Sequence, residues 1–172
     1  EVLASAMIAG AFAIFFGGNW LDAVSGGLCG ILICLVNRVL DHVRTNQFFK
    51  TIAASYFMAL LAYAFGAIGL APNPDAVTIG ALMLLVPGLL FTNAMRDIIY
   101  GDTNSGVNRI VQVFLVAAAL SLGTAVAWNL SSMIWGEPQN LGLAEYNFAT
   151  EYVLCFVGCI GFSILFNIHD LG

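Results

Sequence analysis

The sequence has little charge. Only 9% of its 172 residues are Asp, Glu, Lys or Arg, whereas 60% are hydrophobic. A soluble domain carries about 25% charged residues, because water must solvate its surface. The composition therefore excludes a soluble globule. The apolar residues instead fall into runs of roughly 20, the length of a helix that crosses the ~30 Å hydrocarbon core of a bilayer. Such runs must be helical, since lipid offers the backbone no hydrogen-bond partner.

Groups that carry chemistry are also scarce. With five Lys and Arg residues in all, the chain has no basic patch for nucleic acid, and we expect no nucleic-acid partner. It has no Ser-His-Asp pattern, no spacing of metal ligands and no phosphate-binding G-x-x-x-x-G-K motif. We therefore predict that it is not an enzyme and binds neither a metal nor a cofactor. The four cysteines lie inside apolar runs and are interpreted as packing residues: Cys29, Cys34, Cys155 and Cys159.

What the sequence does contain is six apolar runs, which predict an all-α membrane protein with six transmembrane helices. Their approximate limits are residues 2–17, 21–39, 51–70, 76–98, 107–135 and 150–168. A short Gly18-Asn19-Trp20 link makes the first two spans a tight hairpin. Pro72 and Pro74 end the third span, because proline cannot continue a helix.

The basic residues predict the orientation. All five lie in the loops after the second and the fourth spans: Arg38, Arg44, Lys50, Arg96 and Arg109. With six spans these loops lie on the same side of the bilayer, which the positive-inside rule makes cytoplasmic. We expect both ends of the segment on that side, in a multi-pass protein of the plasma membrane, the inner membrane of a bacterium.

An internal similarity links the first and last spans. The pattern F-[AS]-I-[FL]-F occurs at residues 12–16 and again at 162–166. These spans run in opposite directions, and an offset of five spans is what an inverted repeat requires. We predict a five-helix module over residues 1–142 and the incomplete start of a second module over 143–172. The first residue is not Met, and we interpret the chain as a piece of a longer protein.

Small residues in the spans predict close helix packing. Gly26 and Gly30 form a G-x-x-x-G pair, which allows two helix backbones to approach closely. We expect this pair to contact another helix of the same subunit rather than a second copy. A homo-oligomer is a further possible arrangement.

The most informative segment begins at Pro87-Gly88, near the middle of the fourth span. Proline removes a backbone donor and glycine loosens the chain, so a kink or break is expected there. In transporters, interrupted helices expose backbone dipoles that bind substrate, although a kinked helix without a ligand is an equally ordinary structure. Thr92, Asn93 and Arg96 follow at helical spacing, and with Pro87 and Gly88 they are our candidate substrate-binding residues.

Charged residues near this segment allow two interpretations. Arg96, Asp97, Asp102 and Arg109 could form a structural ion-pair cluster that ties the fourth span to the fifth, and a structural pairing is favoured for Asp102 and Arg109. Alternatively, an arginine grips a substrate carboxylate while Asp97 or Asp102 carries a coupling proton. On the other side of the membrane, Asp22 either caps the second span or acts as an outer gate or proton acceptor.

These residues resemble the threonine/serine exporter family. Its first module is typified by an F-G-G-x-W-x-D hairpin, matched here by residues 16–22. It also carries a P-G-x-x-x-T-N-x-x-R-D-x-x-x-G-D-x-x-x-G-x-x-R segment, which residues 87–109 match. The matching positions are Pro87, Gly88, Thr92, Asn93, Arg96, Asp97, Gly101, Asp102, Gly106 and Arg109. Residues 161–167 look like the opening of the family's second module.

The resemblance implies an exporter of about ten helices in two five-helix modules, either fused or made as two subunits. Members are associated with the export of threonine and serine, and two-subunit relatives with dicarboxylates such as succinate. We therefore predict a secondary transporter for small hydrophilic amino acids or related carboxylates, coupled to protons. Its partners would be the bilayer, the small-molecule substrate and a second module in the same chain or a partner subunit. The alternatives are a non-transporting scaffold subunit and a passive channel.

Overall fold

A computed structural model of the chain describes residues 2–42, 46–136, 146 and 148–166. Within these residues the regular structure is entirely helical. The helices are α1 (Val2–Phe15), α2 (Trp20–His42), α3 (Gln47–Ile68), α4 (Pro74–Leu82), α5 (Gly88–Ile99), α6 (Thr103–Trp135) and α7 (Phe148–Leu165). The predicted all-α fold is confirmed for this part of the chain.

The helix ends follow from local sequence. Asn46 caps α3, because its side chain accepts a hydrogen bond from the backbone N–H of Phe48 at 3.2 Å. Gly69 ends the same helix in the left-handed conformation, with φ of 81°, which suits glycine. Helix α4 then begins at Pro74, where a missing backbone N–H costs nothing. The predicted stop around the two prolines is confirmed.

Among the described residues, three helices are long and apolar enough to cross a membrane, judged by length and composition: α2, α3 and α6. Helix α1 has 14 residues and covers about 21 Å at 1.5 Å per residue, which is less than the hydrocarbon core. The predicted fourth span, residues 76–98, is not one helix but the pair α4 and α5. The count of six spans therefore stays a prediction.

Helix α1 lies at the centre of one group of helices and packs against α2, α4 and α7. Glycines make these contacts close. A Cβ atom on Gly26 would lie 2.9 Å from the carbonyl oxygen of Ala9, and one on Gly30 would clash with the carbonyl oxygen of Ser5. The G-x-x-x-G pair thus packs against α1 of the same chain, as predicted.

The first and last helices meet at the two copies of the repeated pattern. The rings of Phe12 in α1 and Phe162 in α7 have centroids 5.9 Å apart. A Cβ atom on Gly158 would lie 2.8 Å from the ring of Phe12, and one on Gly161 would lie 2.6 Å from Ile8. Residues that the pattern equates, Phe12 and Phe162, are therefore in direct contact.

Helix α6 organises the other group by packing against α3 and α5. Its 33 residues extend about 50 Å, so it reaches beyond the hydrocarbon core. Large apolar side chains point outward along it, with Phe114 69% and Met133 85% exposed. An apolar outer surface of this kind suits lipid, whereas water would leave it unstable. The molecule is a helical membrane protein.

Candidate functional site

The polypeptide between α4 and α5 forms an interruption in the predicted fourth span. Helix α4 ends at Leu82, whose carbonyl accepts from the N–H groups of both Leu85 (2.9 Å) and Val86 (3.1 Å). The N–H of Gly88 then donates to the carbonyl of Val86 at 2.9 Å, which closes a γ-turn around Pro87 (φ −79°, ψ 56°). The predicted break is present, and it begins several residues before the proline.

The break leaves backbone groups unpaired. Within the described part of the chain, no backbone N–H donates to the carbonyl groups of residues 83–85. Proline has no N–H to offer, and the N–H of Gly88 is already used in the turn. Such carbonyls, next to the free N–H groups that begin a helix, are the backbone dipoles that bind polar solutes in interrupted transporter helices.

The candidate residues of α5 share an exposed side of the helix. Thr92, Asn93 and Arg96 are all exposed, and Gly88 has nothing within 4 Å of the place a Cβ would occupy. Ala94 is the buried residue of α5, and at about 100° per residue it lies opposite Thr92 and Arg96. The main neighbour of α5 is α6. The structure thus brings these residues together on the side of α5 that α6 does not cover.

The side chains on this polar face are almost free of partners. The hydroxyl of Thr92 donates to the carbonyl of Gly88 at 3.0 Å, a bond within its own helix. Among the described residues, neither Asn93 nor Arg96 has a side-chain hydrogen bond or ion pair with another. Polar side chains without partners are unfavourable in hydrocarbon. We therefore expect this face to contact water or further protein.

The charged cluster at the far end of α5 ties this helix to α6. The Nε atom of Arg109 lies 3.2 Å from Oδ2 of Asp97, which also accepts from the hydroxyl of Ser105 at 3.4 Å. The carboxylate of Asp102 instead accepts from the backbone N–H of Ser105 at 3.3 Å and caps α6. Of the four residues in the predicted ion-pair cluster, Asp97 and Arg109 form an ion pair, whereas Asp102 caps α6 and Arg96 has no ion pair among the described residues.

Asp22 lies in the first turn of α2 and contacts Asn73, the residue that precedes α4. It is fully buried, and its oxygens accept from the backbone N–H of Asn19 (2.7 Å), the backbone N–H of Asn73 (3.0 Å) and the Asn73 amide (3.3 Å). The bond to Asn19, immediately before the helix, is half of a capping box. This geometry agrees with the capping alternative and also ties the first hairpin to α4. The gating alternative stays a prediction.

A cleft that the sequence did not predict lies beside the break; its lining is mixed, and we call it the polar cleft after the polar side chains that line it beside apolar ones. It encloses about 610 Å³, within the range of small-ligand sites. Pro87 lines it together with polar side chains from three helices: Asn37 of α2, Gln47, Lys50 and Thr51 of α3, and Gln112 of α6. Polar residues at positions 47, 50 and 51 share one face of α3, and that spacing is the signal which could have identified this cleft.

A second cleft, of about 340 Å³, lies on another side of the break and reaches α7. Gly88 and Leu89 line it together with Phe162 and Ser163 of the repeated pattern. The break and the helix that we predicted to open the second module therefore line the same cleft. Within the described ranges, no group of three or more His, Cys, Asp or Glu residues could hold a metal ion.

Comparisons with known proteins identify relatives of this chain. Residues 1–131 match the family profile described as "Putative threonine/serine exporter". The chain is 24% identical over 115 residues to the "Probable threonine/serine exporter" of Mycobacterium tuberculosis, which covers 67% of this chain and 22% of that protein. It is 22% identical over 137 residues to the "Threonine/serine exporter" of Corynebacterium glutamicum, with 77% and 28% covered.

A third relative is named for a different solute. The chain is 27% identical over 140 residues to the "Probable succinate transporter subunit YjjP" of Escherichia coli, which covers 69% of this chain and 53% of that protein. The chain thus spans between about a fifth and about half of the length of these relatives. No solved structure matches it.

Proposed function

The chain belongs to the threonine/serine exporter family, and on that premise we propose that it forms part of a secondary transporter that exports threonine, serine or related small carboxylates in exchange for protons. The family is one of membrane exporters, which supports a role for this chain in transport. The substrate, the direction of transport and the coupling to protons are the proposal. The relatives named as threonine/serine exporters and as a succinate transporter subunit support this range of substrates.

The observation that carries the proposal is the interrupted span. Carbonyl groups without backbone donors at residues 83–85 lie between α4 and α5, beside a polar cleft of about 610 Å³. A zwitterionic or anionic solute needs such polar groups inside the membrane, because hydrocarbon offers it none. The exposed Asn93 and Arg96 add an amide and a positive charge on the adjoining helix. We assign solute recognition to this region.

We further propose that the chain is a five-helix module followed by the first helix of an inverted second module. The contact of Phe12 with Phe162 supports this arrangement, because equivalent residues meet each other near a two-fold axis. The second module, either fused or in a partner subunit, would then lie beyond α7 and cover the polar face of α5. Alternating access would rock one module against the other, in the inner membrane of a bacterium.

The test is counterflow of labelled threonine and serine by the full-length protein in proteoliposomes. Asn93→Ala or Arg96→Ala is expected to reduce counterflow to background, because each removes a polar group that a bound solute would contact. Asn129→Ala is the matched control, since this exposed amide bonds to the carbonyl of Ala125 on its own helix. It should transport as the wild type does.

Three outcomes separate the proposal from its alternatives. Wild-type rates in both α5 variants would remove this helix face from the mechanism. Flux that does not respond to a proton gradient would indicate a passive channel. Absence of flux from the wild type for threonine, serine and succinate would indicate a scaffold subunit and overturn the proposal.

A further inference from the structure

Lys50 is the sole lysine of the chain, and its charged side chain lines the polar cleft. Its side chain is only 14% exposed, and a lysine buried to this extent almost always has a charge partner. Beside apolar side chains from α3, the break, α5 and α6, the cleft is lined by uncharged hydrogen-bonding groups, among them Asn37, Gln47, Thr51 and Gln112. In the part of the chain that the structure describes, no carboxylate lines this cleft. Among the described residues that line this cleft, Lys50 is the charged one.

The charge partner of Lys50 lies outside the cleft. Its Nζ atom is 2.6 Å from Oδ1 of Asp41, near the end of α2, and Asp41 lines a neighbouring cleft of about 270 Å³. The Asp41 side chain is 67% exposed. An ammonium group has three N–H donors, so this single bond leaves others for water or a solute.

The difference in exposure makes this ion pair exchangeable. If Asp41 released Lys50, its carboxylate would remain solvated by water, because two thirds of the side chain is already exposed. The Lys50 ammonium group, whose bond to Asp41 is exposed, could then bond to water or to another anion. A solute carboxylate has the same two acceptor oxygen atoms as the carboxylate of Asp41. Exchange of one carboxylate for another therefore costs little.

Resting on the function proposed above, we propose that Lys50 binds the carboxylate of the transported solute in this cleft, and that Asp41 competes with the solute for the same ammonium group. The amides of Asn37 and Gln112 would hydrogen-bond the remaining polar groups of the solute. Before binding, the Lys50–Asp41 bond joins the end of α2 to the start of α3. After binding, that bond is replaced by a bond to the solute.

The experiment measures binding of threonine, serine and succinate to the purified full-length protein by calorimetry. Lys50→Gln should weaken binding on the order of tenfold or more, since a hydrogen bond to a charged group is lost. Asp41→Asn should strengthen binding severalfold, because the internal competitor loses its charge. Asn129→Ala, an amide on α6 remote from the cleft residues in sequence, should bind as the wild type does.

Threoninamide, which lacks the carboxylate, makes the test specific. It should bind the wild type weakly, and neither Lys50→Gln nor Asp41→Asn should change that affinity. The Asp41→Asn comparison of threonine with threoninamide stands by itself if Lys50→Gln does not fold. Equal threonine binding by Lys50→Gln and wild type, or no gain in Asp41→Asn, would overturn the inference. A wild type that transports none of the three solutes would overturn the proposed function instead.

Discussion

Helices α4 and α5 are the two halves of one predicted span, yet their surroundings are opposite. Six of the nine residues of α4 are buried, and the helix packs against α1, α2 and α3. Of the twelve residues of α5 only Ala94 is buried, and its main neighbour is α6. The break thus separates a half that is anchored in the core from a half whose polar face is left open. We expect the anchored half to determine stability and the open half to determine function.

The largest expected difference is between an acid that anchors α4 and an acid at the end of α5. Asp22→Ala leaves the backbone N–H groups of Asn19 and Asn73 without their acceptor. Because unsatisfied buried donors cost about 1–3 kcal/mol each, we expect the free energy of unfolding to fall by about 2–4 kcal/mol. Denaturation of the full-length protein in detergent micelles measures this change.

Asp97→Ala is the matched substitution on the other side of the break. The Asp97–Arg109 pair is partly exposed, with side-chain exposures of 19% and 40%. Partly exposed ion pairs contribute about 1 kcal/mol or less, and we expect a loss of that size. Equal losses in Asp22→Ala and Asp97→Ala would contradict the division into an anchored and an open half.

A smaller difference is expected between the two glycines on either side of the break. In Gly80→Ala the new Cβ would lie 2.7 Å from the Cα atom of Ala13, so α1 would have to move. Overpacking of this kind costs about 1–3 kcal/mol. Gly88→Ala meets nothing within 4 Å, and we expect a change within about 0.5 kcal/mol. Thermal unfolding of the two variants, compared with wild type, tests this; a larger loss in Gly88→Ala would show that α5 is covered.

Much of the fold could be predicted because its signals are local. Apolar runs predicted the helices, the prolines predicted the end of α3, and Pro87-Gly88 predicted the break. The start of the break could not be predicted, since it depends on how residues 83–86 hydrogen-bond to the end of α4. No local sequence signal predicts that α4 ends at Leu82.

The parts of the candidate site that depend on tertiary contacts could not be predicted from the sequence. Asp97 and Asp102 are both close to Arg109 in the sequence. Only the geometry of the turn into α6 determines that Asp97 forms the ion pair with Arg109. The polar cleft combines Asn37, Lys50 and Gln112 from three helices. No short motif contains them, whereas the motif residues of α5 were found because they are close in sequence.

The most direct test of the central claim is hydrogen–deuterium exchange by the full-length protein in lipid nanodiscs, with and without a transported solute. We expect residues 83–99 to exchange faster than residues 74–82, and addition of threonine, serine or succinate to slow exchange in 83–99 but not in 74–82. Equal protection along residues 74–99, or solute protection confined to 74–82, would contradict the account.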